Sequence, residues 1–151
     1  MDIKIEINHK DAIIPYKNYG ENVSYILLPA FDEDYIEIPP NEEKEVPLGF
    51  TTEYNEDIVA NVYGLERLLK EGVEVKQQMV DSNYEGEWSV TLKNCNDKPV
   101  LIARYPNDFD RDTAIVLDYI DGIAQVSFEG VDEPVFKIIN NNYDFSYTTG
   151  N

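Results

Sequence analysis

The sequence predicts an all-β fold, a sandwich or barrel with one short helix. Two observations carry that reading. Apolar residues recur with period two, the mark of half-buried strands. The runs are short and separated by turn chemistry, as in sandwiches and barrels rather than βαβ folds. Eleven tyrosines also suit pleated surfaces.

The elements follow in order. Ile3, Ile5 and Ile7 alternate with Lys4 and Glu6, and Ile36 and Ile38 flank Glu37. Further apolar runs cover 25–28, 58–63, 73–75, 100–103, 114–120, 123–128 and 135–139, and Trp88, Val90 and Leu92 alternate with Ser89, Thr91 and Lys93. Pro39-Pro40-Asn41, Asn94-Cys95-Asn96-Asp97, Asp121-Gly122 and the asparagines 140–142 supply turns. One segment departs from period two. Leu65-Glu66-Arg67-Leu68-Leu69-Lys70-Glu71-Gly72 joins good helix formers to a closing glycine, and predicts a helix of about two turns. The stretch 32–57 has ten carboxylates against Lys44 alone and reads as a solvated face.

At 151 residues the chain has the length of one domain, 1–151, and needs no disulfide or structural metal to fold. The single cysteine, Cys95, excludes an internal disulfide and a Cys-rich zinc site. A net charge of −18 repels phosphate backbones and anionic lipid, which argues against nucleic-acid and membrane partners. The charged, alternating N-terminus is not a targeting segment, and no apolar run is long enough to span a membrane, so the expected location is cytoplasmic. His9 is the only histidine and reads as a polar residue after a strand, not as a catalytic base.

Asp108-Phe109-Asp110-Arg111-Asp112 alternates carboxylates as a calcium loop does, but Thr113 and Tyr119 occupy the positions where such a loop needs Gly and Glu. It reads as an acidic loop tip. No phosphate-binding glycine loop, nucleophile elbow or metal-ligand spacing is present. More specific is Met79-Val80-Asp81-Ser82-Asn83-Tyr84-Glu85-Gly86-Glu87, an acid, an aromatic and a glycine before an alternating strand. It predicts a β-hairpin whose Asp81 could orient a water and whose Tyr84 offers a flat face to a sugar or base, or an ordinary hairpin with a surface acid.

These residues resemble the third motif of the trimeric dUTPases, G-[VLI]-I-D-x-x-Y-x-G. The likeness extends along most of the chain. Asp11-Ala12-Ile13-Ile14-Pro15 resembles D-A-x-x-P, and Gly20-Glu21-Asn22-Val23-Ser24-Tyr25-Ile26-Leu27 resembles G-D-A-G-Y-D-L. Ile38-Pro39-Pro40 with Val46-Pro47-Leu48-Gly49 resembles I-P-P…V-x-T-G, and the 65–71 helix falls on R-S-G-L-A-x-K. Asp121-Gly122-Ile123-Ala124-Gln125 resembles G-D-R-I-A-Q, and Tyr147-Thr148-Thr149-Gly150 is similar to the tail G-F-G-S-T-G. The resemblance implies a jelly-roll-like β-barrel of the dUTPase (β-clip) type, assembled as a homotrimer with sites between subunits.

Carried over by residue, the resemblance makes Asp81 the acid that activates the attacking water, Tyr84 the ring against the deoxyribose and Gln125 a phosphate contact. The rest of the phosphate machinery is missing. R-S-G falls on Gly64, Leu65 and Glu66; the first-motif aspartate falls on Ile26; the fourth-motif arginine falls on Gly122; the glycine beside uracil falls on Gln78. Arg67, one helical turn on, is the remaining candidate for a phosphate, with pairing to Glu66, Glu71 or Glu74 as the ordinary alternative. A nucleoside triphosphate brings about three to four negative charges, and its clamp supplies transition-state stabilisation that an acid cannot replace. The expected function is therefore that of a degenerate dUTPase-fold regulatory module binding a partner protein or a deoxynucleotide. The alternatives are an active dUTP diphosphatase using Mg and an acidic mimic of nucleic acid. The related dCTP deaminases, whose L-A-R-L is similar to Leu65-Glu66-Arg67-Leu68, carry a catalytic Glu near the position of Lys93. The segment from Arg104 to Asp118 is extra relative to a minimal dUTPase; phage dUTPases carry such an insert, which implies a protein-contact role with 105–109 as its tip.

Overall fold

The computed structural model describes residues 2–18 and 24–141. The sequence motifs at 20–23 and 147–150 lie outside the described residues. Those residues form β1 (Asp2–Ile7), β2 (Tyr16–Asn18), β3 (Ser24–Leu27), β4 (Tyr35–Ile38), β5 (Glu43–Pro47), β6 (Phe50–Glu53) and β7 (Val59–Tyr63). A short helix α1 (Glu66–Lys70) follows, then β8 (Val73–Val75), β9 (Gln78–Val80), β10 (Ser89–Asn94), β11 (Val100–Ala103), β12 (Ile115–Asp118), β13 (Ala124–Glu129) and β14 (Val135–Asn141).

The class is all-β, as expected. Among the described residues the ladders form four open sheets, ordered β14-β1-β6, β5-β10-β8, β12-β11-β4 and β2-β3-β13-β7-β9, and no ladder runs continuously into a closed barrel. Side-chain packing joins the sheets instead. Ile5 of β1, Leu92 of β10, Ile102 of β11 and Val126 of β13 are fully buried in one core. Trp88 packs on Phe50 with ring centroids 5.5 Å apart and donates its indole N–H to Thr52 Oγ1 at 2.8 Å. Buried Asn94 is satisfied by the carbonyls of Ile38 and Lys98 and the N–H of Asn96.

Alternation explains most strands. β1 buries Ile3, Ile5 and Ile7 and exposes Asp2 and Lys4. β11 is buried at all four positions because it is the central strand of its sheet: Val100 and Ile102 enter the main core, while Leu101 and Ala103 form a second cluster with Ala114 and Val116. The segment from Arg104 to Asp118 therefore builds structure. After a 3-10 turn, Pro106–Asp108, Phe109 packs on Tyr35 at 5.1 Å, and β12 pairs parallel with β11.

In the acidic stretch 32–57, which contains β4, β5 and β6, all ten carboxylates are exposed, as a solvated face requires. Two expectations change. α1 is shorter than two turns predict, with Leu65 as its N-cap, Glu71 as its C-cap and Gly72 at φ +75° just beyond. The Asp81 segment is not a β-hairpin: β9 pairs with β7, whereas β10 pairs with β5 and β8. The chain leaves β10 after Lys76, whose N–H still reaches Thr91 O at 2.9 Å, and changes sheets within two residues. Residues 81–88 are therefore a connection between sheets.

Candidate functional site

The acid–tyrosine turn stands on β9. Val80 is buried, and the Tyr54 hydroxyl donates to its carbonyl, fixing the backbone directly before Asp81. Burial, with the nearby Asp81 charge as the lesser cause, raises the Tyr54 pKa above its ordinary value. Asp81 Oδ1 accepts the Asn83 N–H at 2.9 Å and its carbonyl accepts the Tyr84 N–H at 3.2 Å, so the turn is closed by its own polar groups. Oδ2 makes no hydrogen bond among the described residues, leaving one carboxylate oxygen facing solvent. Tyr84 folds back and donates its hydroxyl to Glu87 O at 2.7 Å. Its ring covers Gly86, where a Cβ would come within 2.7 Å of the hydroxyl oxygen. Tyr84 remains 43% exposed.

Gln125, on β13, occupies a different setting. Its Oε1 accepts from Ser24 Oγ at 2.7 Å, and its Nε2 donates to Gly64 O at 2.7 Å. The amide ties β3, β13 and the end of β7 together, so it is committed to the fold. Arg67 is tied to the fold through one guanidinium nitrogen. Its Nη2 donates to the carbonyls of Asp121 and Gly122, the latter at 3.2 Å. This corrects the expectation of pairing with Glu66, Glu71 or Glu74; Glu66 pairs instead with Lys70 at 3.6 Å. A guanidinium that fills two carbonyls on the turn before β13 pins α1 to that turn.

Gly122 is where the two missing charges meet. Its backbone, φ 88° and ψ 159°, lies in a region essentially reserved for glycine. A Cβ there would sit 2.4 Å from Ile26 Cγ2. The positions that the resemblance gives to an aspartate and an arginine thus hold an isoleucine packed over a glycine.

Between α1 and β8 lies an open cleft of 660 Å³. Leu65, Leu69, Val73 and Val75 give it apolar walls; among the described residues, Glu66 and Glu74 are its charged lining. Gly64, Leu65 and Glu66, which the resemblance sets against R-S-G, belong to that lining. An anion docked there would meet two lining carboxylates.

The structure brings Asp81 and Tyr84 together in one turn, and Gln125 and Arg67 together around 64–67 and 122. No described cavity is lined by both pairs. A magnesium site finds no fit: Ile26 stands in place of the first-motif carboxylate, and no group of three or more His, Cys, Asp or Glu side chains among the described residues could hold a metal. In the acidic tip from Asp108 to Asp112, the Asp110 carboxylate caps its own turn by accepting the Asp112 N–H at 2.8 Å. His9 is a bracket between loops. Its Nδ1 accepts the Asp11 N–H at 3.0 Å, so Nε2 carries the proton and donates to Asp32 at 2.8 Å.

Two residues escaped sequence reasoning. Tyr54 left no signal. Arg104 left a weak one, a cation closing an apolar run. It pairs with Asp11 at 2.8 Å, donates to the carbonyls of Phe31 and Glu33, and lies over the rings of Phe31 and Tyr119 at 4.8 and 5.5 Å. It locks the start of the 104–118 segment to the body.

No family sequence profile matches the chain, and no curated protein sequence does. Solved structures match strongly. A variant dUTPase from phage phi11 of Staphylococcus aureus, described as coordinating a structural Mg(II) ion, superposes with a TM-score of 0.67 at 14% identity, covering 91% of this chain and 95% of that one. The dUTPase of Staphylococcus bacteriophage 80alpha, described as controlling transfer of virulence genes, gives a TM-score of 0.65 at 14% identity, covering 89% and 94%. A further phi11 dUTPase structure, which visualises a species-specific insert, gives 0.66 at 15% identity over 91% and 95%. The chain has the dUTPase fold. Its likeness runs to the dUTPases of staphylococcal phages, nearly end to end.

Proposed function

We propose that this protein is a degenerate dUTPase-fold binding module of regulatory type, not a dUTP diphosphatase. The packing of Ile26 over Gly122 carries the reading. A clamp lost by two surface substitutions could be restored by two more; here the position of the fourth-motif arginine has neither the backbone nor the room for a side chain. The other remnants agree: Gln125 spends its amide on the fold, Arg67 faces two carbonyls, and the R-S-G position opens on a cleft charged by Glu66 and Glu74. Its working partner is a protein or a ligand other than a triphosphate. Tyr105, the exposed tip of the Arg104-anchored segment, offers a further protein contact in the cytoplasm.

The assembly belonging to this reading is a homotrimer. The separation of Asp81 and Tyr84 from Gln125 and Arg67 supports it, as does β14, an edge strand that exposes Val135, Ile138 and Ile139. Light scattering at low and moderate salt tests the trimer; a monomer at every ionic strength overturns it.

One observation favours an active dUTP diphosphatase instead: Asp81 keeps a free carboxylate oxygen beside an exposed Tyr84. Pyrophosphate release from each dNTP, with Mg present, decides between the two. The binding-module reading predicts no release above background. Turnover of dUTP at ordinary enzyme rates, ~1–10³ per second, would sink it.

A further inference from the structure

A closed ring of side chains joins two loops at the base of the 104–118 segment. His9 donates from Nε2 to Asp32 and accepts the Asp11 N–H at Nδ1, so it bridges the 9–12 turn and the 31–33 loop. Arg104 bridges the same two: it pairs with the Asp11 carboxylate at 2.8 Å and donates to the carbonyls of Phe31 and Glu33. The ring is largely shielded, with the His9 and Arg104 side chains 20% and 18% exposed. The stem of His9 is packed in place, since a Cβ added at Gly49 would lie 2.8 Å from the His9 Cβ.

One bond in this ring depends on a proton. The Nδ1 contact is an accepting one and exists only while Nδ1 is bare; a second ring proton would face the Asp11 N–H donor to donor across 3.0 Å. The Asp32 bond has no such limit, because Nε2–H donates in either state and gains from the charge. Protonation thus loosens one arm of the bracket and tightens the other. The new Nδ1–H needs an acceptor, and residue 11 carries one, the carboxylate now on Arg104. The charged groups that share the His9 cavity are Asp32 and Glu33 of the 31–33 loop, Glu37 of β4, and Lys44 and Glu45 of β5. Its own turn adds Lys10 and Asp11, with Arg104 behind Asp11. Histidine is the side chain whose charge ordinarily changes between pH 5 and 8, where a guanidinium keeps its own.

We propose that His9 is a proton-operated latch on the 104–118 segment: protonation draws the Asp11 carboxylate from Arg104 to Nδ1, and the segment loses the charge pair that anchors its start. Arg104 keeps the two carbonyls and the faces of Phe31 and Tyr119, so the segment loosens without unfolding. Tyr105, the next residue, is the exposed side chain that loosens with it. The latch lies within one chain and works whatever the segment contacts, so it stands apart from the loss of catalysis.

The test follows the full chain from about pH 7.5 to about pH 5.5, the range in which an imidazole ordinarily takes up its proton. Ring nitrogen shifts report His9 directly, since it is the only histidine. Hydrogen exchange reports the Arg104 amide, which donates to Asp34 O at 3.0 Å. Corrected for the intrinsic effect of pH, that amide should exchange about tenfold faster once the ring is protonated, the scale of losing one charge-assisted hydrogen bond. The gain should follow the ring titration with the same midpoint. His9→Gln should abolish the response. Asp11→Asn should speed exchange already at the upper pH and leave little further response to acid. An Arg104 amide indifferent to the titration of the ring overturns the proposal. A response that survives in His9→Gln overturns it as well, by assigning the effect to the surrounding carboxylates. Where a variant fails to fold, the wild-type protein still decides, because ring and amide must share one midpoint.

Discussion

The Asp81 turn and the α1–β13 region, which hold the residues matched to dUTPase motifs, are built in opposite ways. In the turn the side chains face solvent and owe little to the rest of the fold: Asp81 bonds within its own loop, and Tyr84 lies on Gly86. Around α1 and β13 the surviving side chains have become structural, with Gln125 bonded to Ser24 and Gly64 and Arg67 to the 121–122 carbonyls. Residues matched to the same motif set thus differ in how far the fold depends on them, and their hydrogen-bond partners show the difference.

Substitutions sharpen this contrast, because stability should respond on one side only. The largest effect is expected at Gly122. Gly122→Ala puts a Cβ against Ile26 in a glycine-only conformation and should cost about 2–4 kcal/mol by denaturant unfolding. Gln125→Leu leaves the Ser24 hydroxyl and Gly64 carbonyl without their partner, for about 1–3 kcal/mol. Equal tolerance of both changes would break the distinction.

Tyr54 gives a pH signature. Its native pKa is raised above the ordinary 10.0, so the folded state holds a proton that the unfolded chain releases. The stability this contributes is full below pH 10.0 and falls as pH rises further. Tyr54→Phe should lose about 1 kcal/mol at neutral pH with the hydroxyl bond to Val80, and should flatten the alkaline decline. Urea midpoints between pH 8 and 11 measure both. An unchanged alkaline slope would mean that the hydroxyl ionises in the native state as in the unfolded one. The smallest effect is expected at Asp81: Asp81→Asn should move stability by no more than about ±0.5 kcal/mol, since the Asn oxygen still accepts from Asn83.

What the sequence made legible follows the range of the interaction. β1, β7, β8, β11 and β13 were readable because burial writes itself into neighbouring residues. β5 was not, since only Val46 of Glu43–Pro47 is buried, and β2 and β9 are three-residue strands dominated by exposed positions. The Asp81 segment read as a hairpin because its turn residues are local, whereas the pairing of β9 with β7 is set far away in the chain. Arg67 was read against its helical neighbours, and its acceptors lie 54 and 55 residues on. The motif positions located the candidate site. They were silent on Ile26 filling the space over Gly122, which only the fold brings together.

The central claim is that this dUTPase fold no longer grips a triphosphate. Calorimetry comparing deoxyuridine with a non-hydrolysable dUTP analogue, in the presence of Mg, tests it most directly. Without a clamp the phosphates add nothing, so the analogue should bind no tighter than the nucleoside, or neither should give heat at millimolar concentration. An analogue bound about a hundredfold tighter than deoxyuridine, a gain of about 2.7 kcal/mol, would contradict the account.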